Sequence, residues 1–364
     1  MNKLQGRIVF LDYMRVFAFS SVLIGHKLFH YIQAFSTDVT NHVTLRIIAE
    51  LLIPLCNGGA AGVLVFFLTS GYIITHVLQG EKPSEFIIKR IFRIYPLYLF
   101  ALTLEVVLSN LVQGSPLPAP TTFIKQALLI GDFFSTPYAL AGVEWTLRIE
   151  ILFYLYMFTL KQIKAFSQQA VLPMIYLGTA STLYFMPAFP SEEMWTVGYL
   201  NAYAPFLLIG SMIYLVQERL ASRKLVVLAT SFMLYASLQS IATYHPSWST
   251  SNYAIFALGI FLVAWCCRNS LRSNTLINTL SNLTYSVYLF HNWLWDLLAI
   301  PVSRLGLFGI ANDIIILFTL LIFSYAAYRT IEIYGVRLGR PVGRLANRLL
   351  TSSSTRSSTH PIAR

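Results

Sequence analysis

The sequence predicts an all-α fold, a polytopic bundle of about ten transmembrane helices with both termini in the cytoplasm. Three observations lead there. The chain of 364 residues is 56% hydrophobic and 11% charged, whereas soluble domains carry about 25% charged residues. Apolar stretches recur along the chain, many close to the roughly 20 residues that cross a bilayer. Lysine and arginine gather in alternate connecting segments.

The apolar stretches predict where the spans lie. They are found near residues 9–31, 47–79, 94–112, 145–160, 170–187, 197–216, 225–243, 252–267, 283–303 and 310–328. The second is too long for one helix, so Pro54 and Gly58-Gly59 predict a break before a span at 60–79. The less apolar segment 121–138 predicts an interfacial or re-entrant piece.

The charge distribution sets the orientation of the predicted spans. If the N-terminus is inside, most of the 26 lysines and arginines lie in cytoplasmic segments, and only Arg46, Lys125 and Arg304 lie clearly outside. This is the positive-inside pattern, so the net charge of +11 indicates membrane topology rather than nucleic-acid binding. Lys3 and Arg7 precede a first span interrupted by charges, which predicts a retained signal anchor.

The domain organisation is simple. Residues 1–348 are predicted to form one membrane-spanning domain, and the Ser/Thr/Arg-rich residues 349–364 a disordered polar tail. Cys56, Cys266 and Cys267 show no metal-ligand spacing, and the histidines are scattered. We therefore expect no metal site and no permanently bound cofactor.

The first span carries three ionisable residues. Asp12 and Arg15 are three residues apart, and His26 follows Arg15 by eleven, close to three helical turns. All three side chains should therefore share one helix face. Ionisable groups are costly inside a membrane and tend to mark function. The alternative for His26 is a buried neutral histidine that forms a hydrogen bond to a neighbouring helix.

Four stretches, taken in order, give a family resemblance. They are Phe10-Leu11-Asp12-Tyr13-Met14-Arg15 with Gly25-His26; Phe66-Phe67-Leu68-Thr69-Ser70-Gly71-Tyr72-Ile73-Ile74 with Lys89-Arg90-Ile91-Phe92-Arg93-Ile94-Tyr95-Pro96; Trp145-Thr146-Leu147-Arg148-Ile149-Glu150 with Phe153-Tyr154; and Ser286-Val287-Tyr288-Leu289-Phe290-His291 with Ile331-Glu332. The set resembles the integral-membrane acyltransferase 3 family, which includes O-acetyltransferases of bacterial surface polysaccharides. The resemblance runs from about residue 8 to about residue 335.

The resemblance and the side-chain chemistry of His26 and Glu150 together predict catalytic roles for these two residues. The resemblance implies an essential first-helix histidine at His26, and helix rise places it in the outer half of the membrane. Imidazole suits a general base, since its ordinary pKa is about 6.5, although His26 acting as a transient acyl carrier is equally open. Glu150 lies five residues into a span that enters from outside, so we expect it at the depth of His26, where it would orient the imidazole.

Arg90 and Arg93 are the candidate donor-binding residues. Spaced i,i+3 at the predicted cytoplasmic mouth of the third span, they project together from a helix. Guanidinium groups bind phosphates, and the resemblance implies that this pair engages acyl-CoA. A simple positive-inside anchor explains the same residues without function.

The remaining polar residues are assigned to the substrate pathway or to structure. This group contains Asp12, Arg15, Ser70, Trp145 and His291. Ser70 is expected to pack between helices rather than act as a nucleophile. His291 is expected nearer the cytoplasmic side.

Three further expectations concern charged residues. Glu144 and Arg148, spaced i,i+4, should pair at the membrane interface. Glu105 and Asp296 should face the bundle interior. Arg148 departs from the family pattern, in which smaller residues are more usual at this position.

These inferences predict a membrane O-acyltransferase of the bacterial inner membrane. It would move an acyl group, most simply acetyl, from cytoplasmic acyl-CoA to a sugar hydroxyl of a surface or exported polysaccharide or of its lipid-linked precursor. The expected partners are acyl-CoA, the carbohydrate acceptor and membrane lipid, with no nucleic acid. The alternative is a proton-coupled transporter or flippase that uses Asp12, Arg15, His26, Glu105 and Glu150 as a relay. A third reading is a non-catalytic subunit of a polysaccharide export assembly.

Overall fold

The computed structural model describes residues 7–191, 196–249, 251–304, 306 and 309–357, with side chains as far as Asn347. This part of the chain folds into α-helices joined by turns and contains no strand. The helices are α1 Val9–Leu23, α2 Phe29–Thr37, α3 Val43–Cys56, α4 Ala60–Gly80, α5 Pro83–Gln113, α6 Pro120–Ala127, α7 Trp145–Gln162, α8 Leu172–Phe185, α9 Tyr199–Gln217, α10 Arg223–Tyr244, α11 Pro246–Ser249, α12 Tyr253–Cys266, α13 Thr275–Phe290, α14 Trp293–Ser303, α15 Ile310–Ala327 and α16 Ile333–Ser357. The prediction of an all-α fold is confirmed. Lys3 lies outside the described residues.

Six helical stretches of the described chain are long and apolar enough to cross a membrane. They are Val9–Thr37, Val43–Gly80, Pro83–Gln113, Tyr199–Gln217, Arg223–Tyr244 and Ile310–Asn347. The apolar helices α12 and α14 are shorter. The chain is thus a multi-pass membrane protein, while the count of ten spans and the sides of the two termini stay predictions.

The predicted break before residue 60 is present, one further break was not predicted, and the interfacial or re-entrant position of segment 121–138 stays a prediction. The helix break before residue 60 occurs at Asn57–Gly59, where Gly58 and Gly59 take positive φ angles of 56° and 68° that glycine adopts without steric cost. Segment 121–138 forms only the eight-residue α6 and short turns. The ninth stretch is split, because α13 ends at Phe290 and α14 begins at Trp293.

Glycines set the close packing of the central helices. A Cβ atom on Gly71 of α4 would overlap the backbone of Leu207, and one on Gly210 of α9 would overlap the backbone of Leu68. Ser211 Oγ also donates a hydrogen bond of 3.1 Å to the Gly71 carbonyl. Small residues let membrane helices approach closely, so α4 and α9 form a tightly packed pair.

The bundle has two distinct ends. At the histidine end, the turns at 57–59 and 139–143, helix α11 and residues 291–292 converge around His26. At the arginine end, the Tyr13 hydroxyl donates to the Arg272 carbonyl at 3.0 Å, and Lys161 Nζ donates to the Leu78 carbonyl at 2.6 Å. The basic connecting segments therefore meet at the end opposite His26.

The last helix packs against α5. Gly335 lies against Phe92 and Pro96, and α16 extends to Ser357, which is inside the stretch 349–364 predicted to be a disordered tail. Residues 358–364 lie outside the described part of the chain, so the domain boundary stays a prediction.

Candidate active site

Three neighbouring cavities lie between the two ends of the bundle. The histidine cavity is lined by Val22, His26, Gly58, Ala60, Val63, Ala141, Gly142, Val143, Trp145, Tyr199, Tyr203, Trp248, Tyr288, His291 and Asn292. The arginine cavity is lined by Arg15, Phe66, Thr69, Ser70, Ile73, Ile74, Arg90, Arg93, Ile94, Glu150, Tyr154, Thr284 and Tyr285. The connecting cavity is lined by Ala18, Phe19, Val22, Gly62, Val63, Phe66, Thr146, Thr284 and Tyr288.

Shared lining residues join the three cavities into one path. Val22, Val63 and Tyr288 line both the histidine cavity and the connecting cavity. Phe66 and Thr284 line both the connecting cavity and the arginine cavity. The path therefore runs through the bundle from the arginine end to the histidine end.

One face of the first helix follows the whole path. Arg15 lines the arginine cavity, Ala18 and Phe19 line the connecting cavity, and His26 lines the histidine cavity. This is the face that the eleven-residue spacing predicted. The chain takes a π-helical form at Ile24–Leu28, a form that often occurs at functional sites.

The other three sequence stretches line the same path. On α4, Val63, Phe66 and Ser70 follow it from the histidine cavity to the arginine cavity. On α7, Trp145, Thr146 and Glu150 do the same, and α13 contributes Thr284, Tyr285 and Tyr288. The four stretches, far apart in sequence, thus form one continuous surface.

Two histidines meet in the histidine cavity. The rings of His26 and His291 lie edge to face, with centroids 5.2 Å apart and an angle of 68° between their planes. His291 is 1% exposed, and its Nδ1 lies 2.7 Å from the Tyr288 carbonyl oxygen. A carbonyl only accepts, so Nδ1 carries the proton in the neutral ring and Nε2 keeps a lone pair. Nε2 is buried and has no hydrogen-bond partner among the described residues.

The expected depth of His291 was wrong. Helix α13 begins at Thr275, about two helical turns before the apolar stretch that starts near residue 283. His291 is therefore carried across the bundle to the histidine end. The polar residues before Leu283 gave no hydropathy signal, which explains why sequence reasoning missed the start of the helix.

Aromatic residues form one wall of the histidine cavity. The Trp145 ring lies 4.2 Å from that of Tyr199 and 5.6 Å from that of Tyr203. Trp248 stacks on His245 with ring centroids 5.3 Å apart. Burial lowers the pKa of His245, which follows α10 in the connection to α11, and so favours its neutral form. Sequence reasoning selected Trp145 but missed the rest of this wall, because no short spacing connects α9 or α11 to α7.

Tyr288 closes the connecting cavity on one side. Its hydroxyl shares a hydrogen bond of 2.7 Å with Thr146 Oγ1. Its ring stacks on Phe66, with centroids 6.1 Å apart and an angle of 7° between the planes. These contacts hold Tyr288 in place between the two larger cavities.

Three arginines give the arginine cavity its charge. Arg93 Nη1 lies 2.6 Å from Glu332 Oε1, and the Glu332 side chain is fully buried. The Arg90 guanidinium lies 5.4 Å from the centre of the Phe86 ring, and its Nε is buried without a hydrogen-bond partner. Arg15 Nη1 is 3.5 Å from Asp12 Oδ1. Since Arg93 and Arg15 have carboxylate partners, Arg90 has the greatest remaining capacity to bind an anion.

Asp12 is the centre of a buried network at the arginine end. It is 1% exposed and accepts hydrogen bonds from Arg7 Nε at 2.5 Å and Ser281 Oγ at 2.7 Å. The Ser281 hydrogen bond joins the start of α1 to α13, and the Arg15 pair lies within α1. Asp12 is thus fully engaged, as expected of a structural polar residue.

Glu150 lies at the arginine end, so the expectation that it contacts His26 was wrong. It is 5% exposed, lines the arginine cavity, and accepts hydrogen bonds from Ser70 Oγ at 2.9 Å and the Tyr154 hydroxyl at 2.5 Å. The start of α7 is sunk inside the bundle, since Glu144 is 0% exposed. As a result, Trp145 lines the histidine cavity, and Glu150, more than one helical turn later in α7, lines the arginine cavity. Whether activity requires Glu150 stays a prediction.

Arg148 belongs to a buried ionic network. It forms ion pairs with both Glu144 and Asp132, and the Tyr98 hydroxyl donates to Glu144 Oε2 at 2.7 Å. The predicted Glu144–Arg148 pair is confirmed, although it is buried rather than interfacial. The network holds segment 121–138 against α5 and α7.

The two remaining acids have different surroundings. Glu105 accepts hydrogen bonds from the backbone nitrogens of Leu140 at 2.7 Å and Ala141 at 3.2 Å, which fastens one wall of the histidine cavity. Asp296 was expected to face the interior, but its side chain is 61% exposed and lies 2.6 Å from Lys27 Nζ. The reason is that Asp296 lies on the exposed face of α14, whose Trp293, Trp295 and Leu297 are buried in the core. Neither Glu105 nor Asp296 lines any of the three cavities. Glu105 is therefore not part of a continuous proton relay of the kind that the transporter alternative requires.

Comparison with known proteins identifies one match. Residues 8–329 match a family described as an acyltransferase domain, acyltransferase 3. This range contains every residue that lines the three cavities and all of the four stretches except Ile331-Glu332. No curated protein and no solved structure matches the chain.

Proposed function

Because the chain belongs to the acyltransferase 3 family, we propose that it is a membrane O-acyltransferase that transfers an acetyl group from acetyl-CoA to a sugar hydroxyl. The acceptor is a surface or exported polysaccharide or its lipid-linked precursor. The observation that carries this proposal is the path of three cavities between Arg90 and the paired histidines. It joins a site with anion-binding chemistry to a site with proton-accepting chemistry.

The proposed orientation places the arginine end in the cytoplasm of a bacterial inner membrane, within a bundle of about ten spans. The support is the positive-inside rule, since the basic connecting segments meet at that end. Acetyl-CoA then enters from the compartment where it is made, and the acceptor meets the histidines on the outer side.

The arginine cavity is proposed to bind the donor. Arg90 contributes a free guanidinium edge and Arg93 a second charge, and both suit phosphate oxygens. Glu150 balances the local positive charge while Ser70 and Tyr154 hold its carboxylate in place. The thioester arm then follows the face of α1 towards His26.

The proposed chemistry is a single acyl transfer. His26 accepts the proton of the acceptor hydroxyl while the oxygen attacks the thioester carbonyl carbon. The carbon–sulfur bond breaks, and the proton passes from the imidazolium to the leaving CoA thiolate. The products are the acetyl ester and free CoA. A transient acetyl-imidazole on His26 would give the same products in two steps.

The first test compares membranes that contain equal amounts of wild-type protein, His26→Ala and His30→Ala. His30 is the matched control, because it is another histidine in the same helical stretch and lines none of the three cavities. We expect labelled acetyl to pass from acetyl-CoA to the polysaccharide fraction with wild type and His30→Ala, and not with His26→Ala. Full transfer by His26→Ala would refute the proposed base.

A further inference from the structure

We propose that the histidine cavity is a subsite for a neutral pyranose ring of the acceptor, and that it excludes charged sugars. The inference deepens the proposed function and rests on it for the role of the bound sugar. The chemistry of the ligand follows from the cavity walls, which combine an aromatic side, a polar side and no charged lining residue.

The aromatic side offers ring surface to a ligand. Trp145, Trp248 and Tyr288 line the cavity and are each only partly buried. Tyr199 and Tyr203 are only 1% and 2% exposed, and their rings pack against that of Trp145 and fix its position. Aromatic faces carry negative potential, and the C–H groups on the apolar face of a pyranose are weakly positive. The flat face of a sugar therefore fits this wall.

The polar side offers a buried hydrogen-bond acceptor that lacks a partner among the described residues, His291 Nε2. His291 Nε2 is buried, unpaired and adjacent to the His26 ring, while Nδ1 is held by the Tyr288 carbonyl. A buried acceptor left unpaired is costly, and a ligand hydroxyl would satisfy it. One sugar hydroxyl donates to His291 Nε2, which leaves a neighbouring hydroxyl to donate to His26. His291 is thus a positioning residue for the acceptor.

The lining of the cavity selects for an uncharged ligand. None of the residues that line it is Asp, Glu, Lys or Arg. Lys27, next to His26 in sequence, is paired with Asp296 at 2.6 Å. The carboxylate of a uronate would lose its hydration on binding and would gain no positively charged partner. A cationic sugar would likewise meet no carboxylate in the cavity wall. Aromatic residues alone can hold a quaternary ammonium, so choline is the competing ligand in the test.

The test measures binding without acyl-CoA, so it does not depend on catalysis. The purified full-length protein is placed in lipid nanodiscs and probed by saturation-transfer-difference NMR. The probes are the methyl pyranosides of glucose, galactose and mannose, methyl glucuronide as the charged match, and choline. We expect a signal from at least one neutral pyranoside, strongest for protons on one ring face, and none from the glucuronide or choline.

Two tryptophan variants localise the binding. Trp248→Ala removes part of the aromatic wall, and we expect binding about fivefold weaker, in line with the contribution of an aromatic contact. Trp248→Phe keeps an aromatic face and should retain most of the affinity. Trp265→Ala is the control, since Trp265 donates its indole N–H to Gln217 and lines none of the three cavities. It should bind like wild type.

The outcomes separate this inference from the proposed function. Sugar binding that depends on Trp248, in a protein that transfers no acetyl, would refute the transferase and keep the sugar subsite. Three results would overturn the inference: no neutral pyranoside signal from wild type, equal binding by wild type and a folded Trp248→Ala, or preferential binding of choline or glucuronide.

Discussion

The Arg93–Glu332 ion pair allows the contribution of Arg93 to stability to be separated from its proposed contribution to donor binding. Glu332 is fully buried, and its Oε1 lies 2.6 Å from Arg93 Nη1. Replacing Arg93 by alanine leaves this carboxylate without its guanidinium partner, and its second oxygen already lacks a hydrogen bond. The Arg93 side chain is 40% exposed, so the cost is that of leaving the buried Glu332 carboxylate unpaired, about 1–3 kcal/mol, against a typical stability of roughly 5–15 kcal/mol. We therefore expect Arg93→Ala to unfold at a lower temperature than wild type.

A double variant separates stability from donor binding. In Arg93→Ala/Glu332→Gln the buried charge is removed together with its partner, so most of the lost stability should return. Donor binding should not return, because a hydrogen bond to a charged group contributes about 1.5–3 kcal/mol. By the factor of ten per 1.4 kcal/mol, that predicts acetyl-CoA binding roughly 10- to 100-fold weaker than wild type.

The assay combines thermal unfolding in detergent with titration of acetyl-CoA. Glu332→Gln alone is the control and should fold well and bind acetyl-CoA like wild type, since Arg93 remains. If Arg93→Ala is as stable as wild type, the ion pair does not matter for folding. If the double variant is stable and binds acetyl-CoA normally, Arg93 is an anchor and not a donor ligand.

Three further variants test other parts of the path. Gly71→Ala adds a Cβ that overlaps Leu207, so thermal unfolding should show a loss of about 1–3 kcal/mol; an unchanged melting temperature would contradict the tight α4–α9 contact. Asp12→Ala should lower folded yield by removing the carboxylate to which Arg7 Nε and Ser281 Oγ donate, and normal abundance would show that the network is dispensable. Tyr288→Phe removes the hydrogen bonds to Thr146 and to the Val143 carbonyl and should increase the rate of acetyl transfer from acetyl-CoA, measured at saturating acceptor; a lower rate would show that the Tyr288 hydroxyl helps catalysis.

Several features of the site were accessible from sequence because they depend on local geometry. The shared face of Arg15 and His26 follows from helical periodicity, and the Glu144–Arg148 pair follows from an i,i+4 spacing. The break before α4 follows from consecutive glycines. These predictions hold because short spacings fix the relative direction of side chains whatever the tertiary structure.

The depth of a side chain was less predictable, because it depends on where a helix starts relative to the bundle. Glu150 and His291 were both misplaced for this reason. The start of α7 is drawn inwards by the buried Arg148 network, and α13 begins with polar residues that hydropathy does not count. The aromatic wall around Trp145 was also missed, since it is assembled from α7, α9 and α11.

The narrow middle of the path explains why Tyr288 is important to the proposed mechanism. The connecting cavity has a volume of about 10 Å³, room for about one water molecule, so a thioester arm cannot pass while Tyr288 stays hydrogen-bonded to Thr146. Opening requires the Tyr288 side chain to leave Thr146, the Val143 carbonyl and Phe66. The same Tyr288 carbonyl holds His291 Nδ1, so a backbone shift that moves Tyr288 also moves His291. Donor entry and acceptor positioning would then be coupled through one residue of α13.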